Sequence, residues 1–215
     1  MHNLVGAVDG VSVFVESVDE PHFHAFAIVP IDVKSKTVNT DGVWSQEGQV
    51  ENAISGGIFA MAFEKEMATL DSFVNKIAKE YPVVGKTKEA IDMTDSGYST
   101  PYYYLNFFTD VFDQLNSMYL ENQNVSKEQL RSFLIESKFE TEAVKITINL
   151  FMKESNVDPD KETYSKIVSE IKGMEGLPRG AYTLLLHDNL ISSKYGSGSK
   201  NNSIEETTIN EIMKE

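Results

Sequence analysis

The chain has 215 residues, of which 33 are acidic and 19 are basic, so its formal net charge at pH 7 is −14. This charge disfavours binding to nucleic-acid phosphates and to anionic membrane surfaces. Because the chain contains no cysteine, disulfide bonds, thiolate zinc sites and cysteine nucleophiles are excluded.

The composition is that of a folded protein. Hydrophobic residues make up 41% of the chain and aromatic residues 10%, which is more than disordered chains carry. Near the N-terminus, Asp9, Glu16, Asp19 and Glu20 interrupt the apolar stretches, which is not typical of a secretory signal. Apolar runs such as 25–29 are too short to span a bilayer. We therefore expect a cytoplasmic protein, or one within a particle assembled in the cytoplasm.

Residues 1–52 form the first predicted portion, which is rich in β-structure. Val11, Val13 and Val15 alternate with other residues, as expected for a strand with two different faces. The pairs Asp9-Gly10 and Asp41-Gly42 each lie between β-prone runs and indicate hairpin turns. The pattern predicts an antiparallel meander of about five short strands.

Residues 53–195 form the second predicted portion, which is mostly helical and bundle-like. Five apolar residues at spacings of three and four predict a helix from about 63 to 80: Phe63, Met67, Leu70, Val74 and Ile77. Further helices are predicted at 101–121, with Thr100 as the N-cap, from 126, from 141, from 158 and at 181–191. The helix from 126 opens with a capping box at Ser126. Residues 83–99 are polar and are predicted to form a loop with up to one helical turn. Gly56-Gly57 argues against a helix interior at 53–63.

Residues 196–215 form the third predicted portion, a flexible C-terminal arm. Gly196-Ser197-Gly198-Ser199 has the composition of a linker. A short terminal helix carrying Ile204, Ile209 and Ile212 is predicted after it, docked on its own domain or on a neighbour. The fold class is therefore α+β, with the three portions forming separate domains or one composite domain.

The candidate metal ligands are His22 and His24. Alternate residues of a strand share a face, so both imidazoles could point the same way. Two histidines with a carboxylate are a common beginning of a zinc or iron site, and His187 or Asp188 could complete it. The alternative is an ordinary pair of surface or strand-edge histidines. No catalytic residue is predicted, because no nucleophile elbow or phosphate-binding loop is complete.

The candidate interface residues are aromatic or lie in the terminal arm: Trp44, Tyr102, Tyr103, Ile204, Ile209 and Ile212. They support the first functional hypothesis, a non-enzymatic protein–protein interaction or assembly protein that could also self-associate. A viral or phage structural component, or an acidic inhibitor of a basic host factor, would fit. The alternative is a metal-binding protein or metalloenzyme that uses His22 and His24. No cofactor and no small-molecule ligand is predicted, and neither nucleic-acid nor membrane binding is expected.

Overall fold

The computed structural model describes residues 3–7, 10–32, 34–189, 202–205 and 212–215. The chain divides into two compact units, each assembled from three sequence segments. The first unit comprises Met1–Ala62, Thr87–Ser99 and Leu105–Phe139, and the second comprises Phe63–Lys86, Thr100–Tyr104 and Glu140–Glu215. Helices and sheets are both present in quantity, so the predicted α+β class is confirmed.

The first sheet is antiparallel and has the strand order β1-β2-β3-β4. Its strands are β1 (Asn3–Ala7), β2 (Gly10–Glu16), β3 (His24–Asp32) and β4 (Thr37–Val38). The antiparallel pairing of β1 with β2 agrees with the hairpin predicted around Asp9-Gly10, although residues 8–9 themselves lie outside the described ranges. The second predicted hairpin is wrong. Residues Thr40–Gly42 form a 3-10 turn, and Val38 and Trp44 each pair with β3 rather than with each other.

The described ranges contain six α-helices, which are α1 (Gln49–Ala62), α2 (Glu64–Glu80), α3 (Lys88–Thr94), α4 (Val111–Glu121), α5 (Lys127–Ser137) and α6 (Lys161–Gly173). The helix predicted at 63–80 is α2, and its buried stripe includes Met67, Leu70, Val74 and Ile77. The capping box predicted at Ser126 begins α5. None of the helices in the described ranges combines the length and the apolar character needed to cross a bilayer.

An aromatic cluster forms the core of the first unit where α1, α4 and α5 pack together. The ring of Phe112 lies 4.2 Å from that of Phe107, 6.2 Å from that of Phe59 and 5.8 Å from that of Phe139, measured between centroids. Tilted ring pairs at these distances are favourable beyond the apolar area that they bury. The cluster fixes α1 and α4 in the unit that carries the first sheet.

The helix predicted at 101–121 is wrong in its first half, where the chain forms β6 (Tyr103–Phe107). Thr100 does not cap a helix. Its hydroxyl oxygen accepts hydrogen bonds from the backbone N–H groups of Tyr102 and Tyr103, at 3.2 and 3.1 Å, and so closes a turn. Aromatic residues favour strands where a neighbouring strand is available, and here β7 provides it.

Two segments predicted to be helices are strands of the second sheet. Its remaining strands are β5 (Val83–Val84), β7 (Val144–Met152), β8 (Gly180–His187), β9 (Ser203–Glu205) and β10 (Ile212–Lys214). The strand order is β10-β8-β7-β5, with β6 also paired to β7 and β9 also paired to β8. The helices predicted from 141 and at 181–191 are mainly the parallel strands β7 and β8, which α6 connects. Buried parallel strands are apolar on both faces, so their sequences resemble buried helices.

The described part of the C-terminal arm is extended, so the predicted terminal helix is wrong there. Ile204 lies in β9 opposite Leu186, and Ile212 lies in β10 opposite Tyr182. The predicted linker at 196–199 and Ile209 lie outside the described residues.

Candidate functional site

One face of the first sheet presents a row of apolar side chains that ends at Trp44. Residues directly opposite each other in an antiparallel sheet point to the same face. Val5 lies opposite Ser12, Ser12 opposite Ile28, and Ile28 opposite Trp44, so the four residues form one row across the sheet. Val5 is 44% exposed and Trp44 is 52% exposed. Two large apolar side chains therefore reach solvent at the two ends of this row.

The next row on the same face contains an aromatic pair. Phe14 lies opposite Phe26, with ring centroids 5.5 Å apart, and both residues are half-buried. We call the surface made by Val5, Phe14, Phe26, Ile28 and Trp44 the Trp44 face. Apolar surface rich in aromatic residues is typical of the centre of protein–protein interfaces.

Backbone pairing holds Trp44 in place. The N–H of Trp44 donates to the carbonyl of Ile28 at 3.1 Å, and the N–H of Ile28 donates to the carbonyl of Trp44 at 2.7 Å. Further along the edge of β3, the side-chain amide of Gln49 makes two hydrogen bonds with the backbone of Phe26. Its nitrogen donates to the carbonyl of Phe26 at 3.1 Å, and its oxygen accepts from the N–H of Phe26 at 3.3 Å. Trp44 is thus an exposed side chain on a fixed backbone, which lowers the entropy cost of using it as an anchor.

The sequence around the Trp44 face is acidic. Residues 1–62 contain eight acidic residues and two lysines. Three residues after Trp44, Glu47 begins a cleft that is also lined by Glu51, Asp110 and Asp113, and no lysine or arginine is among its lining residues. Glu51 and Asp113 lie in the first turns of α1 and α4, where the helix dipoles offset part of their charge.

His24 belongs to a second polar group, at the end of β3. It lies opposite Glu16 in the sheet register. The ligand atoms of Glu16, His24 and Asp92 all lie within 4.8 Å of one another. The ammonium of Lys88 contacts Asp92 Oδ1 at 2.8 Å and Glu16 Oε2 at 3.3 Å. We call these four residues the His24 group.

Burial dominates the electrostatics of His24, which is 8% exposed. Desolvation lowers the pKa of its imidazole, against the opposing effects of Glu16, Asp92 and Asp95. The lowered pKa favours the neutral ring, which is the form that can bind a metal.

The other predicted site residues lie elsewhere. His22 is exposed and is not part of the His24 group. Tyr103 is 1% exposed, and its hydroxyl donates to Asp71 at 2.8 Å, so it is a core residue of the second unit. Tyr102 is half-buried. The Nδ1 atom of His187 lies 2.6 Å from the hydroxyl of Ser203.

The sequence hypotheses missed Glu16, Lys88 and Asp92. Glu16 could have been found, because the register of a β2–β3 hairpin places it opposite His24. Asp92 and Lys88 could not, because they lie in a segment interpreted as a loop, which forms α3.

The molecule is thus an α+β protein with a partly exposed aromatic sheet face and a buried imidazole beside two carboxylates. DUF1672, a family of proteins of unknown function, matches residues 1–214, and the chain belongs to this family. No curated protein matches the chain.

The fold is similar to the crystal structure, at 1.80 Å resolution, of a DUF1672 family protein from Staphylococcus aureus subsp. aureus Mu50. The TM-score is 0.72 at 21% sequence identity, and the match covers 100% of this chain and 80% of that chain. At this identity the likeness shows the fold alone.

Proposed function

We propose that this protein is a non-enzymatic interaction protein that binds a partner protein through the Trp44 face. The observation that carries the proposal is the exposure of Val5 and Trp44 in one row of the sheet, next to the Phe14–Phe26 pair. Exposed apolar surface of this kind is costly to keep in water unless a partner covers it.

The acidic charge near the Trp44 face indicates which type of partner would bind there. The acidic residues of segment 1–62 and of the cleft at Glu47 favour a partner with basic residues around an apolar centre. A second copy of the chain would carry another net charge of −14 over its whole length, and the repulsion between two acidic chains opposes self-association. We therefore infer a basic partner rather than a homo-oligomer.

The test begins with a search for the partner in lysate of the cells that produce the protein. The wild-type protein and Trp44→Ala are immobilised, and a protein retained only by the wild type is purified. Its affinity for both forms is then measured by calorimetry. We expect Trp44→Ala to lower the affinity about 30-fold or more, because an aromatic hot spot contributes about 2 kcal/mol or more. Added salt should weaken wild-type binding, because it screens the acidic surface.

Phe108→Ala is the matched control, because Phe108 is an aromatic residue that is 65% exposed and lies outside the Trp44 face. Its affinity for the purified partner should equal that of the wild type. Equal binding by Trp44→Ala would refute the proposal. A defined oligomer in light scattering that dissociates in Trp44→Ala would also refute it, since a second copy would then be the partner.

A further inference from the structure

We propose that the His24 group is a binding site for a divalent transition-metal ion, with zinc the best fit, and that the ion displaces the ammonium of Lys88. The ligands are His24, Glu16 and Asp92, which all lie in the first unit. Glu16 and His24 form the row next to Phe14 and Phe26 on the same sheet face, but the proposal uses none of the residues of the Trp44 face. It also concerns a different site from the His22–His24 pair indicated by the sequence.

The distances between the three ligand atoms are close to those around a bound metal ion. The three ligand atoms lie within 4.8 Å of one another. Two ligands bound about 2.1 Å from a tetrahedral zinc ion are about 3.4 Å apart. Small inward rotations of the two carboxylates would therefore bring all three ligands to bonding distance. The last torsion of an aspartate or glutamate side chain has a broad distribution, which allows such rotations.

The ring of His24 is the second observation that indicates a ligand. The residue is 8% exposed, and its hydrogen bonds within the described part of the chain are made by its backbone, including the pair with Gly97 at 2.8 Å. Among the described residues, the imidazole itself has no hydrogen-bond partner, although its nitrogen faces the two carboxylates at ligand spacing. An imidazole that makes no protein hydrogen bond keeps a nitrogen lone pair available to a metal ion.

Lys88 shows that the carboxylates already attract a cation. Its ammonium contacts both carboxylates, yet its side chain is 70% exposed, so it can turn away into solvent. An ammonium ion cannot bond to the neutral imidazole nitrogen and both carboxylates with the short contacts of a metal. The mixture of one nitrogen and two oxygen ligands suits zinc, and three protein ligands leave a further position open for water.

The test uses the full chain after treatment with a chelator and removal of the chelator. Zinc chloride is titrated into the protein by calorimetry, and thermal unfolding is followed with and without zinc. We expect one saturable zinc ion per chain and a raised unfolding temperature, since an ion that binds only the folded state stabilises it. His24→Gln and Asp92→Asn should each weaken zinc binding about 100-fold or more, because each removes a direct ligand.

Two further variants test whether the ion binds at the His24 group and whether it displaces Lys88. His22→Ala removes an exposed imidazole two residues away, and it should bind zinc as the wild type does. Lys88→Met should bind zinc more tightly, because the competing cation is gone. An unchanged affinity in Lys88→Met would refute displacement of the ammonium.

Nuclear magnetic resonance of the wild-type protein tests the site without relying on the folding of any variant. The chain has four histidines, and zinc should shift the ring signals of His24 while leaving those of His22 in place. The site is refuted by the absence of saturable binding, by equal binding in His24→Gln, or by zinc-dependent shifts confined to His22.

Discussion

Replacement of Gly57 by alanine should destabilise the first unit, although alanine is the better helix former. A Cβ atom at Gly57 would lie 2.6 Å from Pro21 Cβ and 2.7 Å from the carbonyl oxygen of His22. Neither atom is the end of a flexible side chain, so the backbone or the proline ring must move. Overpacking of this kind costs about 1–3 kcal/mol, while the gain in helix propensity is about 1 kcal/mol. The middle of these ranges gives a net loss of about 1 kcal/mol in the free energy of unfolding, and their upper end gives about 2 kcal/mol.

Urea denaturation followed by far-UV circular dichroism measures this change in every part of the chain, and the fluorescence of Trp44, the only tryptophan, reports on the unit that contains Gly57. Gly173→Ala is the matched control. Gly173 is the last residue of α6, is exposed, and would have no atom within 4 Å of an added Cβ. Its replacement should leave stability unchanged or raise it by up to about 1 kcal/mol. A Gly57→Ala protein as stable as the wild type would refute the close-packing argument.

Three further changes test other parts of the fold. Ser126→Ala should cost about 1 kcal/mol in chemical denaturation, because it removes the N-cap of α5. Glu170→Gln should destabilise the protein at neutral pH but not well below pH 4.5, and unfolding measured across this range checks it. The hydrogen bond from Tyr81 holds the pKa of Glu170 below its ordinary value of 4.5, so its stabilisation is lost as pH falls through that lowered pKa. Lys214→Met should lower the unfolding temperature, because the ammonium donates to two carbonyls at 3.0 and 2.7 Å; an unchanged temperature would contradict this.

The sequence correctly predicted those elements whose sequence pattern lies within a single turn or a single strand. The apolar stripe of α2 and the capping box at Ser126 are confirmed, because side-chain spacing and capping are local properties. The pair Gly56-Gly57 misled the prediction of α1. These glycines lie inside the helix because other segments pack closely against them, with Tyr98 beside Gly56 and Pro21 beside Gly57.

The two candidate sites also differ in how much of each could be predicted from the sequence. Trp44 was a candidate from composition alone, and the structure places it at the surface beside Ile28. The pair of His22 and His24 was inferred from alternation within a strand, but β3 begins at His24 and His22 lies before it. The partners of His24 come from β2 and α3 instead. Hairpin register could have indicated Glu16, but no spacing pattern links His24 to Lys88 and Asp92 in α3.

The sequence by itself determined the α+β class, the acidic charge, the absence of thiol chemistry and the helices with one clear apolar face. Only the tertiary structure decided that β7 and β8 are strands and that His24 faces Glu16 and Asp92. The physical reason is that a buried apolar run is compatible with either a helix or a central strand. The neighbouring strands that accept its backbone hydrogen bonds come from distant parts of the chain.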